Sequence, residues 1–498
     1  MIPVTSVKLM READEKAMQN GKAQSELMTE AARSLKAHIP AEGSVAIVCG
    51  SGNNGGDGLA LAVQLAAENR QATVYMTQES KTDCSKHFAS MLKNTCISVI
   101  PFTPESSLQG FATVVDCIFG TGFHGTVSGN SAAAIKAVNR SGAFVISADI
   151  NSGLNGDTGI AENDCVVSSV TVSMGAFKTG HFLSQAKDFI KKLVYADIGV
   201  YPEACAYLTE KADLKNIFPP RRNFSNKSDY GYTALIGGSR EYSGAAKLSA
   251  LALSSLKSGA GVCRLALPES LVPAAAPYML ESTLFPVPDK NGAMLYNEKN
   301  MNSLLKGVRS VAVGMGMGQK GDNDKILRHI LKQQNLIVTV DADALNTIAR
   351  TPDIMKTRKA ETVFTPHLGE FSRLTGRSVK DILSDPLFVA ANYAAQTKVT
   401  LLLKGTTTIV TDGKETYLIN TGTPAMSTGG SGDVLSGVAA GILGNSTLKG
   451  STALKIAAAA WICGKAGEYA AAELGENSAL PSDTIRYIPE VLHDALGR

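Results

Sequence analysis

The sequence predicts two α/β domains, each a mainly parallel β-sheet with helices packed on it. Three observations predict it. Short apolar runs recur along the chain, and each stops at a turn rich in Gly, Asn or Asp, as buried parallel strands do when their carboxyl ends face one crevice. The segments between them are rich in Ala and Gly and poor in aromatic residues, which total 6%, as suits helices lying close on a sheet. A chain of 498 residues also exceeds what one ordinary core organises. The expected division is a first domain over 1–216, a linker over 217–228 and a second domain over 229–498.

Composition narrows the function classes. Apolar content of 44% and charged content of 19% describe a globular protein, and a net charge of +3 argues against a nucleic-acid partner or a polybasic contact with a membrane. No stretch approaches the roughly 20 uninterrupted apolar residues of a membrane helix. Met1 to Met10 lacks the charged and then apolar pattern of a secretory signal. The eight cysteines are scattered without a Cys-x-x-Cys pair, so neither a disulfide framework nor a zinc site is expected and a reduced, cytoplasmic protein is.

Lys8 to Ala37 has apolar residues at helical spacing and reads as one or two helices. Val45 to Cys49 is a buried strand that runs into the loop Gly50-Ser51-Gly52-Asn53-Asn54-Gly55-Gly56-Asp57-Gly58, with a helix expected over Leu59 to Glu68. Strand, glycine loop and helix let backbone amides approach a diphosphate. The spacing of Gly50, Gly52 and Gly55 matches the dinucleotide fingerprint, yet the next strand, Ala72 to Met76, does not end in the ribose-binding acid that a simple dehydrogenase needs. Two Asn and an Asp among the glycines add side-chain oxygens suited to amide or hydroxyl groups, or to a cation.

Two more strands end in the same way. Thr113 to Cys117 carries Asp116 and leads to Phe119-Gly120-Thr121-Gly122-Phe123-His124-Gly125-Thr126. Phe144 to Ala148 leads to Asp149 and then to Asn151-Ser152-Gly153-Leu154-Asn155-Gly156-Asp157-Thr158-Gly159. In a parallel sheet these loops converge on one ligand.

Together, Gly-x-Gly-Asn-Asn-Gly-Gly-Asp-Gly, Asp-x-x-Phe-Gly-Thr-Gly and Asp-x-x-Ser-Gly-x-x-x-x-x-Thr-Gly resemble the NAD(P)H-hydrate epimerase domain, which implies a Rossmann-like three-layer α/β/α fold. The resemblance implies that Asn53, Asn54, Gly55, Gly56 and Asp57, with Gly120, Thr121, Gly122, Phe123, His124, Gly125 and Thr126, embrace the dinucleotide hydrate. It implies that Asn54, Asp116 and Ser152 help to hold K⁺. Asp149 becomes the acid/base residue near nicotinamide C6, and Lys178, in Phe177-Lys178-Thr179-Gly180, its helper, although an ordinary solvated lysine would also fit that position. Asn151 stands where this family usually has proline, and a looser turn is expected there.

Ile217 to Ser228 is proline-rich, basic and aperiodic, as a linker is. Beyond it, Thr233 to Ile236 is a strand feeding Gly237-Gly238-Ser239, and Ala245 to Ser258 is a helix. Val262 to Leu267, Val311 to Val313, Ile337 to Val340, Val363 with Phe364, and Leu401 to Leu403 are further strands. The last four of these end at Gly314-Met315-Gly316, Asp341-Ala342-Asp343-Ala344-Leu345-Asn346, Thr365-Pro366-His367-Leu368-Gly369-Glu370 and Lys404-Gly405-Thr406-Thr407-Thr408. The last motif, Gly429-Gly430-Ser431-Gly432-Asp433, opens a run of small residues from Val434 to Gly444. A glycine loop opening a helix aims free N–H groups at a transferring phosphoryl group, and Asp433 is placed to take a proton from a substrate hydroxyl. A capping aspartate after a turn would carry the same residues.

This order resembles the ribokinase-like α/β/α fold and, through Asp-Ala-Asp-Ala-Leu-Asn, Thr-Pro-His-x-Gly-Glu and Lys-Gly-x-x-Thr, the ADP- or ATP-dependent NAD(P)H-hydrate dehydratase. The resemblance implies that Ala245, Gly316, His367 and Asp433 contact the hydrate, with Asp433 catalytic. It implies that Lys404, Gly405, Thr406, Thr407, Thr408, Gly430, Ser431 and Gly432 contact ADP or ATP, with Mg²⁺ offsetting the nucleotide charge. Asn226 and Ser228 depart from the family's usual His and Gly, and Gly314-Met315-Gly316 lacks its central proline. The whole chain then resembles a bifunctional repair enzyme for NADH hydrate and NADPH hydrate (NADHX and NADPHX), expected as a homo-oligomer. A ribokinase-like kinase for a vitamin or sugar, with the first domain as a scaffold, is the alternative.

Overall fold

The computed structural model describes residues 1–255 and 259–497. The chain divides into two compact units, Pro3–Ala206 and Tyr207–Arg498, the second also taking Met1–Ile2. This division falls ahead of the expected linker. The reason lies in the second unit's need for core: Tyr207 and Leu208 pair in parallel with Tyr417 and Leu418, and Leu214, Ile217 and Phe218 are buried among that unit's helices.

The first unit is a seven-stranded sheet in the order Ser98–Pro101, Ala72–Met76, Val45–Cys49, Thr113–Cys117, Phe144–Ala148, Val170–Met174 and Leu193–Ala196, with every neighbouring pair parallel. Successive strand residues serve opposite layers, because side chains alternate across a sheet. Val45, Ile47 and Cys49 pack with the helices Gln24–Lys36 and Asn53–Ala67, whereas Ala46 and Val48 pack with the helix Gly129–Arg140. The region read as one or two helices forms two, Val7–Gln19 and Gln24–Lys36.

One boundary differs in a way that matters. The helix expected from Leu59 begins at Asn53, with Gly52 as its cap, so Asn54 and Asp57 belong to its first turns rather than to a loop. Gly50 makes this entry possible: a Cβ there would lie 1.9 Å from the Ile118 carbonyl oxygen, so only glycine lets the turn lie against its neighbour.

In the second unit, Ser282–Val287, Val262–Pro268, Tyr232–Ile236, Val308–Val313, Ile337–Val340, Glu361–Phe364 and Thr400–Leu403 run parallel in that order. An antiparallel pair, Thr408–Thr411 and Thr416–Ile419, continues the sheet. The helix expected over Ala245 to Ser258 spans Ala245–Ser255, and residues 256–258 lie outside the described residues. It packs on the helix Ser431–Gly444 at a glycine: a Cβ on Gly437 would lie 2.0 Å from the Ser249 carbonyl oxygen, so the two backbones meet directly. Among the described residues no helix is long and apolar enough to cross a membrane.

Candidate active sites

The first unit encloses a cavity of about 870 Å³ at the carboxyl ends of its strands. Of the residues expected to embrace a ligand, Asn53, Asn54, Asp57, Gly120, Thr121, Gly122, Phe123, His124, Asp149 and Lys178 line it. Gly55 and Gly56 face inward instead, where a Cβ would strike the Gly50 carbonyl oxygen at 2.0 Å and the Ser85 hydroxyl at 2.7 Å. Gly125 and Thr126 are not in the wall. Phe119 stacks on Phe123 with ring centroids 4.6 Å apart and stiffens the second loop.

Asp149 is built with unusual care. Its φ is +63°, a left-handed conformation costly for a residue with a Cβ. Three groups hold it. The Met174 N–H donates to its Oδ1 at 3.0 Å, and the Lys178 ammonium forms an ion pair with the same oxygen. Lys178 is wholly buried, which excludes the solvated-lysine reading, and it also donates to the Met174 carbonyl at 2.7 Å. The third is His181, which sequence reasoning missed. The Lys178 N–H donates to His181 Nδ1 at 3.0 Å, so the ring proton sits on Nε2, 2.7 Å from the Asp149 carbonyl oxygen that accepts it. Burial, reinforced by the Lys178 charge, pushes the His181 pKa down to about 4, so the ring stays neutral.

Two more carboxylates share this space. Burial, followed by the charges of Asp149 and Asp14, raises the Asp57 carboxyl well above its usual range. Asp14, on the helix Val7–Gln19, also lines the cavity and was not expected from sequence. Burial lifts its pKa to about 6, with Lys178 opposing and Asp149 and Glu15 assisting.

Asp116 lies behind the wall, fully buried. It accepts hydrogen bonds from the Ser152 hydroxyl (2.5 Å) and N–H (2.9 Å), the Ser147 hydroxyl (2.9 Å) and the Ile118 N–H (3.2 Å). Burial raises its pKa and these bonds oppose the rise. Asn54 donates to the Phe119 carbonyl at 2.8 Å, and the Phe119 N–H donates to the Ser152 hydroxyl at 2.8 Å, so Asn54 and Ser152 meet at Phe119 and Ser152 links them to Asp116. The Asn54 side-chain oxygen is buried without a hydrogen-bond partner among the described residues. An orphaned buried amide oxygen, joined through Phe119 and Ser152 to a buried carboxylate, fits a hard monovalent cation. Asn151 corrects the expectation of a loose turn: it is fully buried, and its amide donates to Val166 (2.8 Å) and Phe189 (3.0 Å) carbonyls and to the Ser168 hydroxyl (3.1 Å).

The second site centres on the helix Ser431–Gly444. Its cap, Gly430, has φ +107°, and a Cβ there would lie 2.8 Å from Leu248 Cδ1, so the loop closes only with glycine. Asp433 is half-buried in the first turn. Burial, with Asp341 and Asp343 outweighing Lys404, raises its pKa to about 7. Lys404 pairs with Asp341 at 3.0 Å, and the Ser436 hydroxyl donates to the other Asp341 oxygen at 2.8 Å. A Cβ on Gly432 would lie 3.3 Å from Lys404 Nζ, which places that ammonium over the helix entrance. Burial lowers the Lys404 pKa, but the carboxylates of Asp341, Glu370 and Asp433 more than reverse this and raise it, so its charge is secure.

Of the expected hydrate contacts, Ala245 and Gly316 meet, whereas His367 lies beside Lys404. Gly316, at φ +63°, lies against Ala245: a Cβ on it would be 2.8 Å from the Ala245 Cβ. The Ser249 hydroxyl lies 2.8 Å from the Asp433 carbonyl oxygen and 3.2 Å from that of Ala245, tying this corner to the Asp433 turn. His367 caps the helix Leu368–Thr375, accepting from the Gly369 N–H at 3.0 Å, and its backbone bridges to Lys404. Gly405 and Thr406 are exposed beside Lys404, the Thr407 hydroxyl donates to Asn420 at 3.0 Å, and Thr408 opens the next strand. Asn226, in place of the usual histidine, caps the short turn Lys227–Tyr230 by accepting from the Ser228 N–H at 2.9 Å.

Comparison with known proteins matches these sites to two families. Residues 233–490 match the family described as NAD(P)H-hydrate dehydratase, and residues 24–180 match the YjeF-related protein N-terminus. Bifunctional NAD(P)H-hydrate repair enzymes are similar over most of the chain. That of Thermofilum pendens is 34% identical over 90% of this chain and 87% of its own length. That of Coxiella burnetii is 30% identical over 96% and 97%. Among solved structures, the ADP/ATP-dependent NAD(P)H-hydrate dehydratase of Bacillus subtilis, co-crystallised with ATP and Mg²⁺, is 25% identical with a TM-score of 0.50, covering 58% of this chain and 99% of that one.

Proposed function

The chain belongs to the bifunctional NAD(P)H-hydrate repair enzymes, and from that membership we propose how its two sites divide the work. The enzyme interconverts the epimers of hydrated NAD(P)H and dehydrates the hydrate to NAD(P)H. Epimerisation belongs to the cavity around Asp149 and nucleotide-dependent dehydration of the S epimer to the helix entrance around Asp433. The observation that carries this is Asp433 in the first turn of a helix whose entrance, at Gly432, has the Lys404 ammonium over it.

Hydroxide is a poor leaving group near neutrality, so the C6 hydroxyl must be activated. Asp433 takes the hydroxyl proton, and the oxygen attacks the terminal phosphoryl group of ADP or ATP, breaking its anhydride bond. The N–H groups of Gly430, Ser431 and Gly432, together with Lys404, hold the charge that develops on the phosphoryl oxygens. The ring-nitrogen lone pair then expels phosphate from C6, and loss of a C5 proton restores the dihydropyridine. Ala245, Gly316 and His367 position the hydrate; Gly405, Thr406, Thr407 and Thr408 receive the nucleotide. Mg²⁺ bound with the nucleotide would offset the phosphate charge as the anhydride bond breaks. Because the hydroxyl must point at Asp433, only one C6 configuration reacts, and the other waits on the first site.

In that first site Asp149 is the acid/base group and Lys178 its ion-pair partner. Asn54, Asp116 and Ser152 would hold K⁺, which supplies a fixed positive charge behind the loops that receive the dinucleotide. The test of the whole reading supplies mixed epimers with Mg²⁺ and ADP or ATP and follows the return of the reduced-nicotinamide absorbance. Full recovery with either nucleotide is expected, and recovery of neither epimer with both nucleotides tried would refute it.

A pH profile checks the second site separately. Asp433 must be ionised to act as base, so dehydration is expected to fall as pH drops through about 7. Asp343 is one of the charges that holds Asp433 protonated, so Asp343→Asn is expected to move that acidic limb to lower pH. An unmoved limb in the kcat/KM profile would show that another group sets it.

A further inference from the structure

We propose that Asp14 is the second proton-handling residue of the epimerase site, giving a proton to the substrate while Asp149 takes one. The inference rests on the epimerase reading of the first unit and goes beyond it by giving Asp149 a partner from the helix Val7–Gln19.

Geometry comes first. Val7, Met10, Asp14 and Met18 recur at helical spacing and all line the cavity, so one face of this helix forms part of its wall. The helix is fixed in place: the Ser6 hydroxyl accepts from the Leu9 N–H at 3.2 Å, and the Val7 N–H donates to Asp157 at 2.7 Å, a residue of the third glycine-rich loop. On this wall Asp14 is half-buried and, among the described residues, makes no hydrogen bond and no ion pair. Removing a carboxyl group from water without giving it a partner costs free energy. Its near neighbour Asp149, by contrast, is held by the Met174 N–H and the Lys178 ammonium. One acid is committed to a cation and the other is left open to the ligand space.

Chemistry supplies the need. In ring opening, a base removes the C6 hydroxyl proton, the O–H electrons form C6=O, the C6–N1 bond breaks, and N1 takes a proton from an acid. Closure on the other carbonyl face reverses each transfer and returns both groups to their starting state. In loss and return of water, an acid protonates the C6 hydroxyl as the nitrogen lone pair forms N1=C6. A base then deprotonates water arriving on the opposite face. Either route requires one group that gives a proton and one that takes it. Asp149, paired with Lys178, is the carboxylate that takes; Asp14, with a pKa lifted to about 6, exchanges its proton readily near neutrality. The charged and titratable groups facing it are Glu15 and Arg11 on its own helix, Asp57, Asp149, Lys178 and His124.

The experiment measures epimer interconversion directly in the full-length protein, without nucleotide, across pH. As an acid, Asp14 works only when protonated, so wild-type kcat should fall as pH rises past about 6. Asp14→Asn is expected to lower kcat by roughly 10²-fold with little change in KM, and to abolish that falling limb. Asp14→Glu should restore part of the rate and the limb, and wild-type-like thermal unfolding of both variants excludes misfolding of the first unit, while dehydration of the S epimer should be unchanged in both. Wild-type-like kcat and pH dependence in Asp14→Asn would overturn the inference alone, as would a loss confined to KM. Failure of the wild type to interconvert the epimers would overturn the epimerase reading and this inference with it.

Discussion

Asp433→Asn is expected to lower nucleotide-dependent dehydration by roughly 10²- to 10⁴-fold, the usual contribution of a positioned general base, while leaving epimer interconversion intact. The amide keeps the size of the side chain and cannot accept the hydroxyl proton. It also removes a carboxylate whose charge is already disfavoured by burial and by Asp341, so no loss of stability is expected from the change. Rates on the purified S epimer, alongside interconversion on the same preparation, check it. A variant that keeps near-normal dehydration would remove Asp433 from the mechanism. Accumulation of a stable phosphorylated product in the wild type would instead favour a simple kinase.

Asp149→Asn is expected to act on the other half. With mixed epimers, the absorbance should rise only as far as the S fraction present at the start and then stall, with interconversion reduced by roughly 10²-fold or more. Adding wild-type protein should complete the recovery. Here a stability cost is expected too. Lys178 is wholly buried and pairs with this carboxylate, and an ammonium stripped of its counter-charge in such a place costs on the order of a few kcal/mol. Thermal unfolding of the variant measures that cost, and Lys178→Met combined with Asp149→Asn should regain part of it. Full recovery of both epimers by Asp149→Asn would show that another group performs the inversion.

The glycine loops were legible because their residue types answer a steric demand. Gly50 and Gly430 each sit where a Cβ would meet another part of the chain, and the strand ahead of Gly50, Val45–Cys49, is bounded as its apolar run suggested. Helix starts were less legible. Asn53 to Gly58 has the composition of a loop, yet the free N–H groups of a first turn welcome Asn and Asp, and the helix begins there. Asn151 read as the loss of a stiffening proline because a sequence does not display the carbonyls that its amide reaches. Asp14 and His181 escaped notice for a related reason. An acid in a mixed-charge helix looks like an exposed face, and a histidine bound to two backbones has no motif; only the folded sheet brings both to Asp149.

Where the Ser249 carbonyl meets Gly437 and its hydroxyl reaches the Asp433 backbone, two helices are welded at the place where reactants must line up. Aim is therefore inherited from the hydrophobic interior and does not wait on a ligand to assemble it. A bulkier residue at 437 would spoil turnover from a distance, by tilting one reactant's platform against the other's, without touching either molecule.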